Sequence, residues 1–245
     1  MSALIFGDSV LYTASKIAGT TVRHWVVNAI CAHIIQKEGK GSHPPASTAE
    51  LDALAVILPR PLSLDVIQRT GASADLLMQA LAELHVSYHF GFFAPLDLTN
   101  RYCITRDPVA RFVSCISQKL GKRELIAVRD TQDLIDNFDS FCIKPLSRIP
   151  AAYSFNERIE DWQSIFLPRH FLPQYYSYGI KLDYFTQCFN ISEVNTSVRQ
   201  LLSSHFKQDI PVQIVNRGKK VTQLTSTQIA AVKEIYQQDY NCGYC

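Results

Sequence analysis

The sequence lacks a strong charge imbalance, because 24 Lys and Arg residues stand against 22 Asp and Glu residues in a chain of 245. A nearly neutral chain has no broad electrostatic footprint for nucleic acid or for an anionic membrane surface. We therefore expect no nucleic-acid partner and no membrane partner. Any anion site in this protein must be local.

The chain also lacks a long apolar run. Its most apolar helical stretch, 22–35, is interrupted by Arg23, His24 and His33, and about 20 consecutive apolar residues are needed to cross a bilayer. The first residues carry no basic segment of the kind that opens a secretory signal peptide. These absences predict a cytoplasmic protein.

Cysteine is scattered and odd in number, with 7 residues in the chain. Most of them lie among apolar residues, which is typical of reduced, buried thiols in a cytosol. The terminal Cys242 and Cys245 have C-x-x-C spacing without a second pair, so a structural role and a metal or redox role are both open. No cluster has the spacing of metal ligands, and we expect no metal.

The composition that remains is that of a folded α/β domain. Hydrophobic residues make up 47% of the chain, and this length supports one large core. Apolar strand patterns at 9–14 and 101–105 each run into a helical pattern. We expect a central parallel sheet flanked by helices, with 1–245 as a single domain.

The stretch between the first strand and its helix has the composition of an anion site. The first N–H groups of a helix lack internal partners, and the helix dipole favours negative charge there. Lys16 adds a positive charge, and Thr20 and Thr21 add hydroxyl donors. The order differs from a Walker A motif, in which Lys follows the second Gly. The alternative is an ordinary turn with a solvated Lys.

A second polar stretch follows the strand at 101–105. Asp107 suits a helix N-cap and Pro108 suits the first helical position, but neither rule accounts for Arg106 or Ser114. Helical spacing gives the following helix a polar stripe that faces either solvent or a ligand. The stripe consists of Asp107, Arg111, Ser114 and Gln118.

Together the two stretches resemble sulfotransferases that use 3′-phosphoadenosine 5′-phosphosulfate (PAPS). Arg106-Asp-Pro-x-x-Arg-x-x-Ser114 resembles the family's 3′-phosphate motif, which implies that Arg106 and Ser114 bind that phosphate. The earlier loop resembles the family's 5′-phosphosulfate loop, with Ser15 where the family has Pro. The residues that this resemblance assigns to the 5′-phosphate are Lys16, Ala18, Gly19, Thr20 and Thr21. The resemblance also implies a three-layer P-loop-like fold.

Further segments resemble the carbohydrate branch of that family, of the chondroitin, dermatan and heparan type. They are His89-Phe-Gly-Phe92, Arg169-His-Phe-Leu-Pro-Gln174, Ile180-Lys-Leu-Asp-Tyr184 and Val194-Asn-Thr-Ser197. The third of these resembles a late strand of the branch. The middle of the chain, 122–152, matches nothing in the family, so the acceptor site is not predicted.

The resemblance directs the choice of catalytic residues. An acceptor hydroxyl must lose a proton, and histidine suits a general base near neutral pH. His89 is the first candidate and His170 the second, against a structural role for each. Lys16 would neutralise charge on the leaving oxygen. Arg217 and Lys219 lie in a basic loop that either clamps the donor or is a solvated turn.

These observations predict a PAPS-dependent O-sulfotransferase. The expected reaction transfers a sulfuryl group to a hydroxyl of a carbohydrate or a small natural product, and it requires no metal. The alternatives are a P-loop small-molecule kinase and a catalytically inactive nucleotide-binding module. The sequence does not identify the acceptor, the position sulfated or the oligomeric state.

Overall fold

A computed structural model gives the fold of the chain. It describes residues 2–14, 16–42, 46–90, 96–119, 128–143, 168–178, 182–212 and 223–244. Several residues that the sequence analysis named lie outside these ranges: Ser15, Gly91, Phe92, Ile180, Lys181, Arg217, Lys219 and Cys245.

Five strands form one sheet, with the order β3-β1-β2-β4-β5. The strands are β1 (Ser2–Phe6), β2 (Ser9–Thr13), β3 (Val86–Phe90), β4 (Asn100–Thr105) and β5 (Gln187–Asn190). Strand β1 pairs antiparallel with β2 and β3, whereas the β2–β4 and β4–β5 pairs are parallel. Strand β1 is therefore antiparallel to the other four strands.

The sheet is thus mixed rather than wholly parallel as expected. Strand β1, which the sequence analysis did not identify, ends at Phe6, and β2 begins at Ser9. A two-residue turn joins only antiparallel strands. Gly7 supplies the positive φ of 58° within that turn.

Helices flank this sheet. Those in the described ranges are α1 (Gly19–Glu38), α2 (Thr48–Leu54), α3 (Arg60–Thr70), α4 (Ala74–Glu83), α5 (Pro108–Lys119), α6 (Thr131–Asp136), α7 (Pro168–Phe171), α8 (Gln174–Tyr178), α9 (Arg199–Phe206), α10 (Ser226–Ile235) and α11 (Gln237–Asn241). None of them has the length and apolarity that crossing a membrane requires. Together the mixed sheet and the helices that flank it form a mixed α/β fold.

The helix cap that the sequence predicts at Asp107 is present, and caps of the same kind open two other helices. Ser73 Oγ accepts the Leu76 N–H at 3.2 Å at the start of α4, and Asp107 Oδ1 accepts the Ala110 N–H at 2.7 Å at the start of α5. A full capping box joins Thr225 and Gln228 before α10. These caps satisfy donors that a helix cannot satisfy internally, which is why they are readable from local sequence.

The late strand lies further along the chain than the family resemblance implied. Leu182–Tyr184 is a short 3₁₀ turn, and β5 begins only at Gln187. The Leu182 carbonyl accepts the Phe185 N–H at 2.9 Å and closes that turn. The Tyr184 hydroxyl is also bound to the backbone of Leu96, which fixes this segment as a turn.

Two apolar clusters form the core. The larger includes α1, whose Trp25 is completely buried. The smaller joins α5, α7 and the C-cap of α10 through the rings of Phe112, Phe171 and Tyr236. This second cluster holds α5 in place directly after Arg106.

The cysteines of the described ranges are free thiols, as the sequence predicts, and most of them are buried. One pair is close: the Cys103 thiol on β4 donates to Cys188 Sγ on β5 at 3.3 Å. Cys242 is half-buried.

The junction between α3 and α4 provides a test of the packing. An added Cβ at Gly71 would lie 1.9 Å from the Gly41 carbonyl oxygen, and the φ of Gly71 is +66°. Gly71→Ala should therefore lower the free energy of unfolding by more than about 1–2 kcal/mol, which is the cost of left-handed backbone strain alone. Urea denaturation measures this loss.

Gly7→Ala is the matched control, because Gly7 also has a positive φ but a Cβ there meets the His205 ring at ordinary contact distances, 3.6 Å to Cε1 and 3.9 Å to Nδ1. Equal losses for the two variants would show that the close approach at Gly71 is not rigid.

Candidate anion-binding site

The sheet brings the predicted site residues to one edge. Strands β2, β3, β4 and β5 run in the same direction, so their carboxyl ends meet there. The loop with Lys16 follows β2, His89 lies near the end of β3, and Arg106 follows β4. Ligands of α/β sheets commonly bind at this edge.

The loop after β2 is tight and strained. The Ala14 carbonyl accepts the Ile17 N–H at 3.2 Å, and the buried Ile17 side chain anchors the loop in the core. Lys16 and Ala18 have φ values of 65° and 50°, in the left-handed region. Each such residue costs about 1–2 kcal/mol, and strain of this kind concentrates at functional sites.

Helix α1 begins against the end of β2 with a donor-rich N-terminus. A Cβ at Gly19 would lie 3.2 Å from Thr13 Oγ1, so the glycine permits this close approach. Ala18 occupies the N-cap without a side-chain hydrogen bond, and no acidic residue lies in the first turn. The N-terminal N–H groups of α1 therefore have neither a side-chain cap from Ala18 nor a first-turn carboxylate, which favours an external anion.

Arg106 joins the two predicted stretches. Its Nη1 donates to the Lys16 carbonyl at 3.1 Å, and burial lowers the pKa of this half-buried guanidinium. Within the described ranges, no Asp or Glu forms an ion pair with Arg106. A partly buried cation without a carboxylate is suited to bind an anionic ligand.

Arg23 is a further cation of this site that the sequence analysis did not select. Its Nε donates to the Gly19 carbonyl at 3.3 Å and its Nη2 donates to Thr20 Oγ1 at 3.1 Å. The guanidinium also lies 5.6 Å from the centre of the Phe90 ring. Because Thr20 accepts from Arg23, its own hydroxyl hydrogen is available to a ligand. The i+4 spacing from Gly19 is the signal that would have found Arg23.

The peptide of Arg106 is held by a buried polar network. Gln174 Oε1 accepts the Arg106 N–H at 3.0 Å, and Gln174 Nε2 donates to the Arg106 carbonyl at 2.7 Å. Asp239 in turn accepts the backbone N–H groups of Gln174 and Tyr175, each at 2.8 Å. Burial raises the pKa of Asp239, and these two N–H groups offset part of the shift.

The polar stripe on α5 is neither wholly solvated nor wholly directed at a ligand. Arg111 is completely buried and its Nη2 donates to the His170 carbonyl at 3.2 Å, so it joins α5 to α7. Asp107 is exposed, and Ser114 is half-buried. No hydrogen bond among the described residues joins Ser114 to Arg106. The helical spacing of the stripe did not reveal that Arg111 is buried.

The two histidine candidates have different environments. His89 is half-buried on β3, its Nε2 lies 3.0 Å from Ser87 Oγ, and burial lowers its pKa below the ordinary 6.5. Because neighbouring residues of a strand alternate faces, His89 lies on the sheet face opposite to Phe90. His170 is half-buried on α7, and its carbonyl accepts hydrogen bonds from Arg111 and Cys115.

The contrast between Arg106 and Arg111 is testable through stability. Arg106→Ala should lose at most about 1.5–3 kcal/mol of the free energy of unfolding, the range for one hydrogen bond to a charged group, because the Gln174 bonds use its backbone and solvent screens this half-buried side chain. Arg111→Ala should lose more, about 1.5–3 kcal/mol for its charged hydrogen bond with a further loss for the cavity. Chemical denaturation of both variants measures the difference, and a larger loss for Arg106→Ala would contradict this account.

Among the described residues, no group of three or more His, Cys, Asp and Glu side chains is placed to hold a metal ion. The chain matches no family model, no curated protein and no solved structure. Its function is therefore inferred from the site residues and from their resemblance to the sulfotransferase motifs.

Proposed function

We propose that this chain is a sulfotransferase that transfers a sulfuryl group from PAPS to a hydroxyl of a carbohydrate or a small natural product. The observation that carries this proposal is the hydrogen bond from Arg106 to the Lys16 carbonyl. It joins the two stretches whose combination resembles the family. Either stretch alone is common in α/β proteins.

The electrostatics of the edge support a ligand that is phosphorylated at both ends. One group of donors surrounds the N-terminus of α1, with Arg23 and the hydroxyl of Thr20. A second group lies at the β4–α5 junction, where Arg106 has no carboxylate partner among the described residues. A nucleoside triphosphate carries its phosphates in one cluster and does not need a second group.

The proposal includes a three-layer P-loop-like fold and a cytoplasmic location. The succession of β2, a strained loop and α1 supports the first point. The free thiols, most of them buried, agree with the second. Strand β1 departs from a purely parallel arrangement but leaves the carboxyl ends of β2 and β4 adjacent.

In the proposed reaction, the acceptor oxygen forms a bond to sulfur as the bond from sulfur to the bridging phosphate oxygen breaks. The proton of the acceptor hydroxyl passes to His89, which is neutral at pH 7 because burial lowers its pKa. The negative charge that develops on the leaving phosphate is stabilised by Lys16 and by the N-terminal N–H groups of α1. Arg106 and Ser114 hold the 3′-phosphate.

Donor binding tests the proposal directly. Calorimetry should show that 3′-phosphoadenosine 5′-phosphate binds more tightly than AMP, because only the former occupies both groups of donors. Arg106→Ala should weaken binding of the bisphosphate by about 1.5–3 kcal/mol, the range for a hydrogen bond to a charged group. The affinity for AMP should not change.

Arg60→Ala, which removes an exposed arginine of α3, is the matched control and should leave both affinities unchanged. Equal affinities of the parent protein for the two nucleotides would refute the proposal. Tight binding of ATP that depends on Mg²⁺ would favour the kinase alternative.

The base assignment generates a separate prediction. His89→Asn should lower kcat by about 10²–10⁴-fold, the usual contribution of a general base, and should leave the donor affinity nearly unchanged. In the parent enzyme the rate should fall in acid as His89 becomes protonated. The midpoint of that fall should lie below pH 6.5, since burial lowers the pKa of His89.

His24→Asn, which alters an exposed histidine on α1, is the control for this experiment. Turnover of His89→Asn within about threefold of the parent enzyme, well short of the range for a base, would exclude His89 and direct the same measurement to His170.

A further inference from the structure

The side-chain amide of Gln174 is bound to both backbone polar groups of one residue, Arg106. We infer that Gln174 is a positioning residue: it fixes the backbone of Arg106 so that the guanidinium projects into the anion-binding site. The identity of the anion rests on the proposed function, whereas the positioning itself does not.

The junction at Arg106 needs such a partner. Strand β4 ends at Thr105 and α5 begins at Pro108, so Arg106 lies outside both elements. Its N–H and carbonyl therefore need partners outside those two elements, and buried backbone groups are rarely left unpaired. Gln174 supplies both partners, with an acceptor at 3.0 Å and a donor at 2.7 Å.

Gln174 is itself immobilised. Its side chain is completely buried, and Nε2 also donates to the Tyr244 carbonyl at 2.8 Å. Its own N–H is bound by the buried carboxylate of Asp239. The carboxamide thus uses its oxygen and its amide nitrogen on fixed backbone groups, and it has no freedom to rotate without breaking several bonds.

The contacts form a continuous path from the core to the loop. Asp239 on α11 holds Gln174 at the start of α8, Gln174 holds the Arg106 peptide, and Arg106 Nη1 reaches the Lys16 carbonyl. Because Gln174 is buried and touches no ligand position, its effect on binding must act through Arg106. It is therefore not a catalytic residue.

Gln174→Met removes the hydrogen bonds with little change in side-chain volume. Calorimetry with 3′-phosphoadenosine 5′-phosphate and with AMP should show that the preference for the bisphosphate falls about tenfold or more, as for loss of a hydrogen bond to a charged group. The affinity for AMP should stay within about twofold, because the α1 N-terminus is not bound to Gln174. Ser63→Ala, which removes another buried hydrogen bond, should leave the preference unchanged.

A second variant, Gln174→Glu, keeps the acceptor for the Arg106 N–H but lacks both donors when ionised. Lowering the pH protonates this carboxyl and restores one donor, so the preference for the bisphosphate should recover partly relative to the parent protein at the same pH. Recovery of the preference while the folded fraction stays constant distinguishes positioning from a purely structural role. If Gln174→Met fails to fold, this variant decides the question.

The guanidinium N–H signals of Arg106 give a readout without any ligand. In ¹⁵N-labelled protein they are assigned by their loss in Arg106→Lys, and hydrogen exchange should be faster in both Gln174 variants than in the parent and in Ser63→Ala. Unchanged exchange in a folded Gln174 variant would overturn the inference. If the parent protein shows no preference for the bisphosphate, the proposed function fails and this measurement alone decides the positioning role.

Discussion

The parallel pairing of β2 with β4 is the constraint on which the candidate site depends. In its register Tyr12 lies opposite Cys103, so the residues that follow the two strands leave the sheet side by side. That register explains why Arg106 reaches the carbonyl of Lys16 although 90 positions separate them. A shift by one position in this pair would move the two cationic stretches apart and turn alternate side chains to the wrong face.

The candidate site concentrates positive charge where few carboxylates among the described residues are close enough to neutralise it. Arg106 and Arg23 lie near the N-terminus of α1, and in the described part of the chain neither forms an ion pair with a carboxylate. Partly buried cations close to a positive helix end repel one another and lower stability. A bound anion relieves that repulsion, so ligand binding and folding stability are linked at this edge. The left-handed conformations of Lys16 and Ala18 add to the same cost.

Local features were predictable from the sequence, and long-range ones were not. The caps at Ser73, Asp107 and Thr225 obey rules that involve only a few neighbouring residues, and the structure has them. The loop at 16–21 and Arg106 were also selected from sequence, and the structure brings them together.

Other features depend on partners far away in the chain. Strand β1 is short and its direction is set by a tight turn that the sequence analysis did not weigh. Arg111 has the helical spacing of a solvated residue, but it is completely buried and donates to the His170 carbonyl on α7. Gln174 was noted for resemblance alone, since nothing near it in sequence indicates that its amide binds the Arg106 peptide.

The distance along the chain between Arg106 and its supports has a consequence for biosynthesis. The hairpin of β1 and β2 joins neighbouring residues and is able to form soon after they leave the ribosome. The backbone of Arg106 is held only once Gln174, 68 positions later, has been synthesised. Gln174 is in turn bound by Asp239, a further 65 positions along the chain. A nascent chain is therefore able to form the β1–β2 hairpin well before the arginine at the sheet edge is held in its final direction.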